Sequence, residues 1–156
     1  FGFVAGKSGA IVTIQNVKTA GSVQRSPIAH DVTFTHIIGC INGATVTKAN
    51  ENYVGGIVGY SVVAVEGAKC HCTINTQAHA NTGFIFGVPR SATVIAKSCQ
   101  IGGEIATEYD EDEDVYLTEK ISSNNFHKYL YGGGTTDWTG VENYDGCSAL
   151  TSKPEL

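Results

Sequence analysis

The residues that could do chemistry in this chain fall into three small groups. Cys70-His71-Cys72, with His79 nearby, offers thiolate and imidazole, the donors that zinc takes. On a strand, however, Cys70 and Cys72 share one face and His71 points to the other, so the three converge only if the chain turns there. The expected state is two packed thiols and a surface histidine. The second group is acidic. EYDEDEDVYLTEK, from Glu108 to Lys120, holds seven acids and one lysine, leaving eight acids against nine bases elsewhere in a chain of net charge −5. Asp110, Asp112 and Asp114 alternate like the first half of an EF-hand loop, but Val115 stands where that loop needs glycine and Ile121 where it needs a bidentate glutamate. An EF-hand is excluded. These three aspartates are the candidate ligands of a looser calcium site, set against a solvated acidic loop; no other cofactor is expected.

The third group is aromatic and lies near the carboxy terminus. Tyr131, Asp137, Trp138, Asn143 and Tyr144 combine rings with carboxylates and an amide, the pairing that carbohydrate sites use to stack on sugar faces and bind hydroxyls. The competing expectation is that Trp138, the single tryptophan, belongs to a core. Catalytic groupings are sparse. His30-Asp31 and His36 are suggestive by type alone, and Asp31, Glu51, Glu66 and Glu104 fall at unrelated phases of the pattern described next. The chain carries no Gly-x-Ser-x-Gly elbow, phosphate loop, basic stripe or nucleic-acid motif, so nucleic acid is not an expected partner.

What positions these groups is a repeat. ENYVGGIVGY, residues 51 to 60, interrupts a β-prone run with three glycines, which marks bends or close backbone approach. Gly2-Phe3-Val4-Ala5-Gly6 and Gly83-Phe84-Ile85-Phe86-Gly87 echo Gly55-Gly56-Ile57-Val58-Gly59. Between these copies, alternating apolar residues lead to a small residue and a glycine. Aligned on Val17, Cys40, Cys72 and Cys99, the copies are 23, 32 and 27 residues apart, about one unit per 27 residues. Short runs such as Ala10-Ile11-Val12-Thr13-Ile14 have strand periodicity, and no segment before Ser122 has a capped helical one.

Residues 1–106 therefore read as coils of an all-β, right-handed parallel β-helix (β-solenoid) whose equivalent strands pair side by side. Val4, Ile57 and Ile85 are expected in one interior column, and Val17, Cys40, Cys72 and Cys99 in another. Gln24 to Asp31 carries no glycine strand. Residues 107–120 read as an acidic loop. Residues 121–156 read as an irregular carboxy-terminal cap that covers the open end of the stack, with Ser122 or Ser123 capping a short helical turn that ends at Gly132-Gly133-Gly134. Five cysteines at wide spacings are no secreted disulfide framework, and free thiols are expected. The chain opens at Phe1 inside a repeat motif, so a fragment with coils or a leader upstream is the expectation. No apolar run approaches the roughly 18 residues that span a bilayer, so no membrane insertion is expected of this stretch.

The GGIVGY segment followed by an alternating strand ending in Cys-x-x-Gly resembles the GLUG-type glycine-rich repeats of bacterial cell-surface and secreted proteins, and the adhesin modules that carry them. The resemblance covers about two-thirds of the chain by repeat count. It implies a noncatalytic module, extracellular or on the cell surface, whose partner is a glycan or a host or cell-surface protein. The alternative is a fragment of a carbohydrate-active β-helix enzyme, a polysaccharide lyase or glycosidase, which three acids in one outward column would favour. Ice binding is a more distant reading, because outward Thr-x-Thr pairs occur only at Thr33/Thr35 and Thr45/Thr47.

Overall fold

The computed structural model describes residues 5–8, 11–32, 35–49, 52–61, 64–77, 81–89, 94–133 and 146–156. In chain order the strands begin with β1 (Ala5–Ser8), β2 (Val12–Gln15), β3 (Lys18–Thr19), β4 (Ser22–Val23), β5 (Ala29–Val32), β6 (Thr35–Ile38), β7 (Ile41–Asn42), β8 (Thr45–Ala49) and β9 (Val54–Gly55). They continue with β10 (Val58–Ser61), β11 (Ala64–Glu66), β12 (Lys69–Thr76), β13 (Thr82–Gly83), β14 (Phe86–Pro89), β15 (Ile95–Lys97), β16 (Gln100–Asp110) and β17 (Val115–Lys120). Helix α1 (Phe126–Tyr131) and β18 (Ser148–Ala149) follow.

The protein is all-β in character and its sheets are parallel, with one antiparallel hairpin. One sheet runs β1-β5-β10-β14, a second β2-β6-β11-β15, and a third carries β3-β7-β12-β16 with β18 beyond it. The pairing partners recur at repeat intervals. Lys18 pairs with Ile41, Ile41 with Lys69 and Lys69 with Gln100, steps of 23, 28 and 31 residues. The second sheet takes the same steps through Val12–Thr35, His36–Ala64 and Ala64–Ile95. Gln24 to Asp31, despite lacking glycines, supplies β5, which pairs with both β1 and β10.

In-register pairing stacks like on like, and the core consists of these columns. Ile14, Ile37, Val65 and Ala96 form one, all buried. Val46, Ile74 and Ile105 form another. Ile57 and Ile85 are neighbours as expected, since Val58 pairs with Phe86 and donates its amide to the Ile85 carbonyl. Ile28 extends that column, and Val4 lies outside the described residues. The cysteine column needs correction. Ile41 donates to the Val17 carbonyl, Lys69 to Cys40, Gln100 to Ala68 and Ser148 to Cys99, so the column is Val17, Cys40, Ala68, Cys99, Cys147. Cys72 pairs with Gly103 instead.

The corner before that column explains the register. Asn16, Gly39, Gly67, Ser98 and Gly146, each one residue earlier, have φ of 57°, 63°, 62°, 53° and 69°. A left-handed residue turns the chain at the same place in each copy, and glycine or a small polar residue accepts that conformation at least cost. At the other glycine-rich corner, a Cβ on Gly55 would stand 2.7 Å from the Gly87 amide nitrogen and 2.8 Å from the Ile85 carbonyl oxygen.

Two segments depart from expectation or refine it. Residues 107–120 are not a loop: β16 runs on to Asp110 and pairs antiparallel with β17, because Thr107, Tyr109 and Tyr116 sustain strand alternation on both sides of a four-residue turn. Beyond them, α1 lies on the last strands of the stack. Phe84 donates to the Tyr129 carbonyl (2.6 Å) and Gly133 to Gly87 (2.9 Å). Asn125 rather than a serine stands at the start of the helix, its side-chain oxygen accepting from the Ser122 amide at 2.7 Å. Among the described residues no helix is long and apolar enough to cross a membrane.

Candidate functional site

The structure's candidate site is a groove on the outer face of the third sheet, and β12 shows how the chain builds it. Along KCHCTINT the residues alternate strictly: Cys70, Cys72, Ile74 and Thr76 are buried, while Lys69, His71, Thr73 and Asn75 are half-buried on the other face. This is the two-residue period of a pleated strand. His71 thus points away from the two thiols, and His79 lies outside the described residues.

Behind the groove, Cys70 and Cys72 approach to 3.5 Å between sulfurs. The Asn42 side-chain amide faces both, at 3.7 and 3.6 Å, while its carbonyl oxygen accepts from the Thr19 hydroxyl (2.7 Å) and the Ala44 amide (2.8 Å). The Cys70 contact and burial together push the Cys72 thiol well above the ordinary range, and the Lys153 charge pulls modestly the other way. These are packed thiols, poor nucleophiles and poor metal ligands in this state.

In front of β12, a cavity of about 630 Å³ is lined by Thr45, His71 and Thr73, by Gly102 to Glu104, by Lys120 and Ile121, and by Ala149 to Thr151 and Lys153. The chain's last segment makes one wall. After β18 adds to the sheet beside β16, the Leu150 amide donates to the Ile101 carbonyl at 2.7 Å. Gly102 permits this approach: a Cβ there would overlap the Leu150 carbonyl oxygen and stand 3.0 Å from His71 Cδ2. Gly43 does the same further along, where a Cβ would lie 2.8 Å from Lys153 Cε.

The polar groups of this groove suit a hydroxyl-rich or anionic ligand. Threonines 45, 73 and 151 supply hydroxyls, Lys120 and Lys153 positive charge, and Glu104 one carboxylate. Lys120 Nζ lies 3.9 Å from Glu104 Oε1, with side chains 80% and 41% exposed. So exposed a pair is worth well under about 1 kcal/mol and leaves Lys120 free to turn to a ligand. The Thr118 hydroxyl donates to the other Glu104 oxygen at 3.3 Å.

The residues singled out from sequence fare differently. Tyr131 is fully buried, its ring stacked on Phe86 at 5.7 Å and 4° and its hydroxyl accepting from the Ala96 amide at 3.4 Å, so it is core and cannot offer a face to a sugar. In sequence, a ring beside Gly132 reads equally as core or as platform, and only its neighbours decide. Asp137, Trp138, Asn143 and Tyr144 lie outside the described residues. Asp110, Asp112 and Asp114 sit at the hairpin turn. Asp110 Oδ1 accepts from the amides of Asp112 (3.0 Å) and Glu113 (3.3 Å), and Asp114 Oδ1 from the Tyr109 hydroxyl (2.7 Å), which raises the Tyr109 phenol to about 12. Among the described residues no three His, Cys, Asp or Glu side chains gather as metal ligands.

Sequence reasoning missed the groove, since its walls come from segments far apart in the chain. One signal was available: Gly146-Cys147 repeats Gly39-Cys40 and announces the returning strand. No protein-family model, curated protein or solved structure matches the chain.

Proposed function

We propose that this chain is a noncatalytic, adhesin-like binding module, extracellular or at a cell surface, built on a right-handed parallel β-helix and holding a glycan in the groove over β12. The observation that carries the reading is the groove itself. Its volume, about 630 Å³, lies within the range of small-ligand sites, and it is lined from paired strands with hydroxyls, two lysines and a histidine. The repeated register steps of 23, 28 and 31 residues support the β-helix, and parallel crossovers are right-handed in nearly all proteins. The likeness of GGIVGY to GLUG-type repeats supports the surface location. Asp31, Glu66 and Glu104 stand on three different sheets, an arrangement that favours a binding module over a lyase or glycosidase.

The test is a glycan array read alongside an assay for released sugar, using the wild-type chain, Lys153→Ala and Thr73→Val. The reading expects saturable binding, loss of about tenfold or more in affinity for each variant, and no new reducing ends. Released sugar would transfer the case to the enzyme alternative. Binding that ignores both substitutions would remove the groove from the account.

A further inference from the structure

The last strand of the third sheet returns over the longest connection. Its partner residues, Gln100 and Ser148, are 48 residues apart, against 23 to 31 for the steps before, because the hairpin and α1 intervene. Strand β18 has two residues, both exposed, yet Ala149 to Thr151 form a wall of the groove. At the head of this strand the column described above places two thiols on adjacent rungs. Ser148 donates to the Cys99 carbonyl at 3.0 Å, and the Cys99 amide points at the Cys147 sulfur at 3.4 Å. The Cys147 thiol in turn donates to the Ala96 carbonyl at 3.5 Å, next to the Lys97 carbonyl that Cys99 reaches at 3.5 Å, and its proximity raises the Cys99 thiol above the ordinary range.

We propose that Cys99 and Cys147 are a redox latch, closing as a disulfide that pins the returning strand to the stack. Directly opposed residues of paired strands are about 4.8 Å apart, inside the window of roughly 4.4 to 6.8 Å between Cα atoms that a disulfide needs. Of the other thiols, Cys70 and Cys72 approach to 3.5 Å between sulfurs, but their backbone geometry disfavours a bridge. Ala68 separates Cys40 from Cys99 in the column, so these two are two rungs apart. Cys70 and Cys72 sit two residues apart on one extended strand, about 6.6 Å between Cα atoms and at the edge of that window, with Asn42 facing both sulfurs.

Chemically, the entry point is Cys147, the one cysteine of the five that is not buried. Its thiolate attacks a small disulfide such as oxidised glutathione, breaking that S–S bond and releasing one glutathione thiolate. Cys99 then attacks the Cys147 sulfur, forming the protein disulfide and expelling the second glutathione. Two protein thiols are oxidised, one glutathione disulfide is reduced, and the two protons pass to the departing thiolates.

Trypsin separates the partners, since the cysteines fall in peptides 26–48, 70–90, 98–120 and 129–156. Native chain is equilibrated with oxidised and reduced glutathione, alkylated and digested. The expected product is 98–120 linked to 129–156, lighter by two hydrogen atoms than the two peptides together, and it persists in the Cys70→Ser/Cys72→Ser variant. Closing so long a loop should raise Tm by roughly 10 °C, a rise absent from Cys147→Ser. Cys147 recovered alkylated or as a stable glutathione adduct, or linked to 26–48 or 70–90, overturns the latch. The cross-link does not depend on the glycan reading, so a ligand-free chain that still closes separates the two.

Discussion

Deleting Ile57 together with Ile85 tests the stacking of the whole molecule. Both side chains are fully buried, and the Val58–Phe86 register places them side by side at equivalent bends, one residue before the paired strands β10 and β14. Ile57→Ala removes three carbon atoms, worth about 2.5 kcal/mol of transfer free energy. The cavity left in a close-packed column brings the loss to about 3–4 kcal/mol. With a urea slope of about 2 kcal/mol/M, each single variant should lower the unfolding midpoint by roughly 1.5–2 M at unchanged slope. Since each single substitution also deletes the contact the two share, the double variant should lose about 0.5–1.5 kcal/mol less than the sum. Ile11→Ala is the control: Ile11 is 89% exposed, and its replacement should cost less than about 0.5 kcal/mol. Losses that add to within about 0.3 kcal/mol would mean that Ile57 and Ile85 do not touch, and the parallel register would be wrong.

Three further outcomes are expected. Gly102→Val should drive the Leu150 backbone off β16, seen as faster amide exchange at Ser148 and Leu150 and as lost groove binding, while β11–β15 pairing keeps its protection. The Tyr109 phenol, held neutral by Asp114, should titrate near 12 by tyrosine-resolved NMR, and Asp114→Asn should return it toward about 10. Its folded value is raised, so what it contributes to stability is complete below about pH 10 and disappears as pH climbs through 12; an unshifted Asp114→Asn titration would refute the contact. Burial depresses the His127 pKa, the opposite sign: its contribution is complete above about pH 6.5 and is lost as pH falls through the lower folded value. Urea midpoints between about pH 7 and 5 should therefore fall more steeply for wild type than for His127→Gln, and equal slopes would show that burial does not govern this histidine.

Strand alternation, the approximate period and the parallel stacking of Ile57 on Ile85 are legible in the sequence, because they follow from local pattern repeated at a distance. So is the turning of His71 away from Cys70 and Cys72, since a pleat allows nothing else. Tertiary structure alone decided the alignment of the copies. Cysteine identity suggested Cys72 as the partner of Cys40 and Cys99, but what recurs is a left-handed corner, and that corner puts Ala68 there. Tertiary structure likewise turned Tyr131 inward onto Phe86 and brought Lys153 beside Cys72, a juxtaposition of residues 81 apart in the chain. Side chains in one strand are related by backbone geometry, which a sequence states; side chains across a groove are related by where the chain returns, which only the packed whole can state.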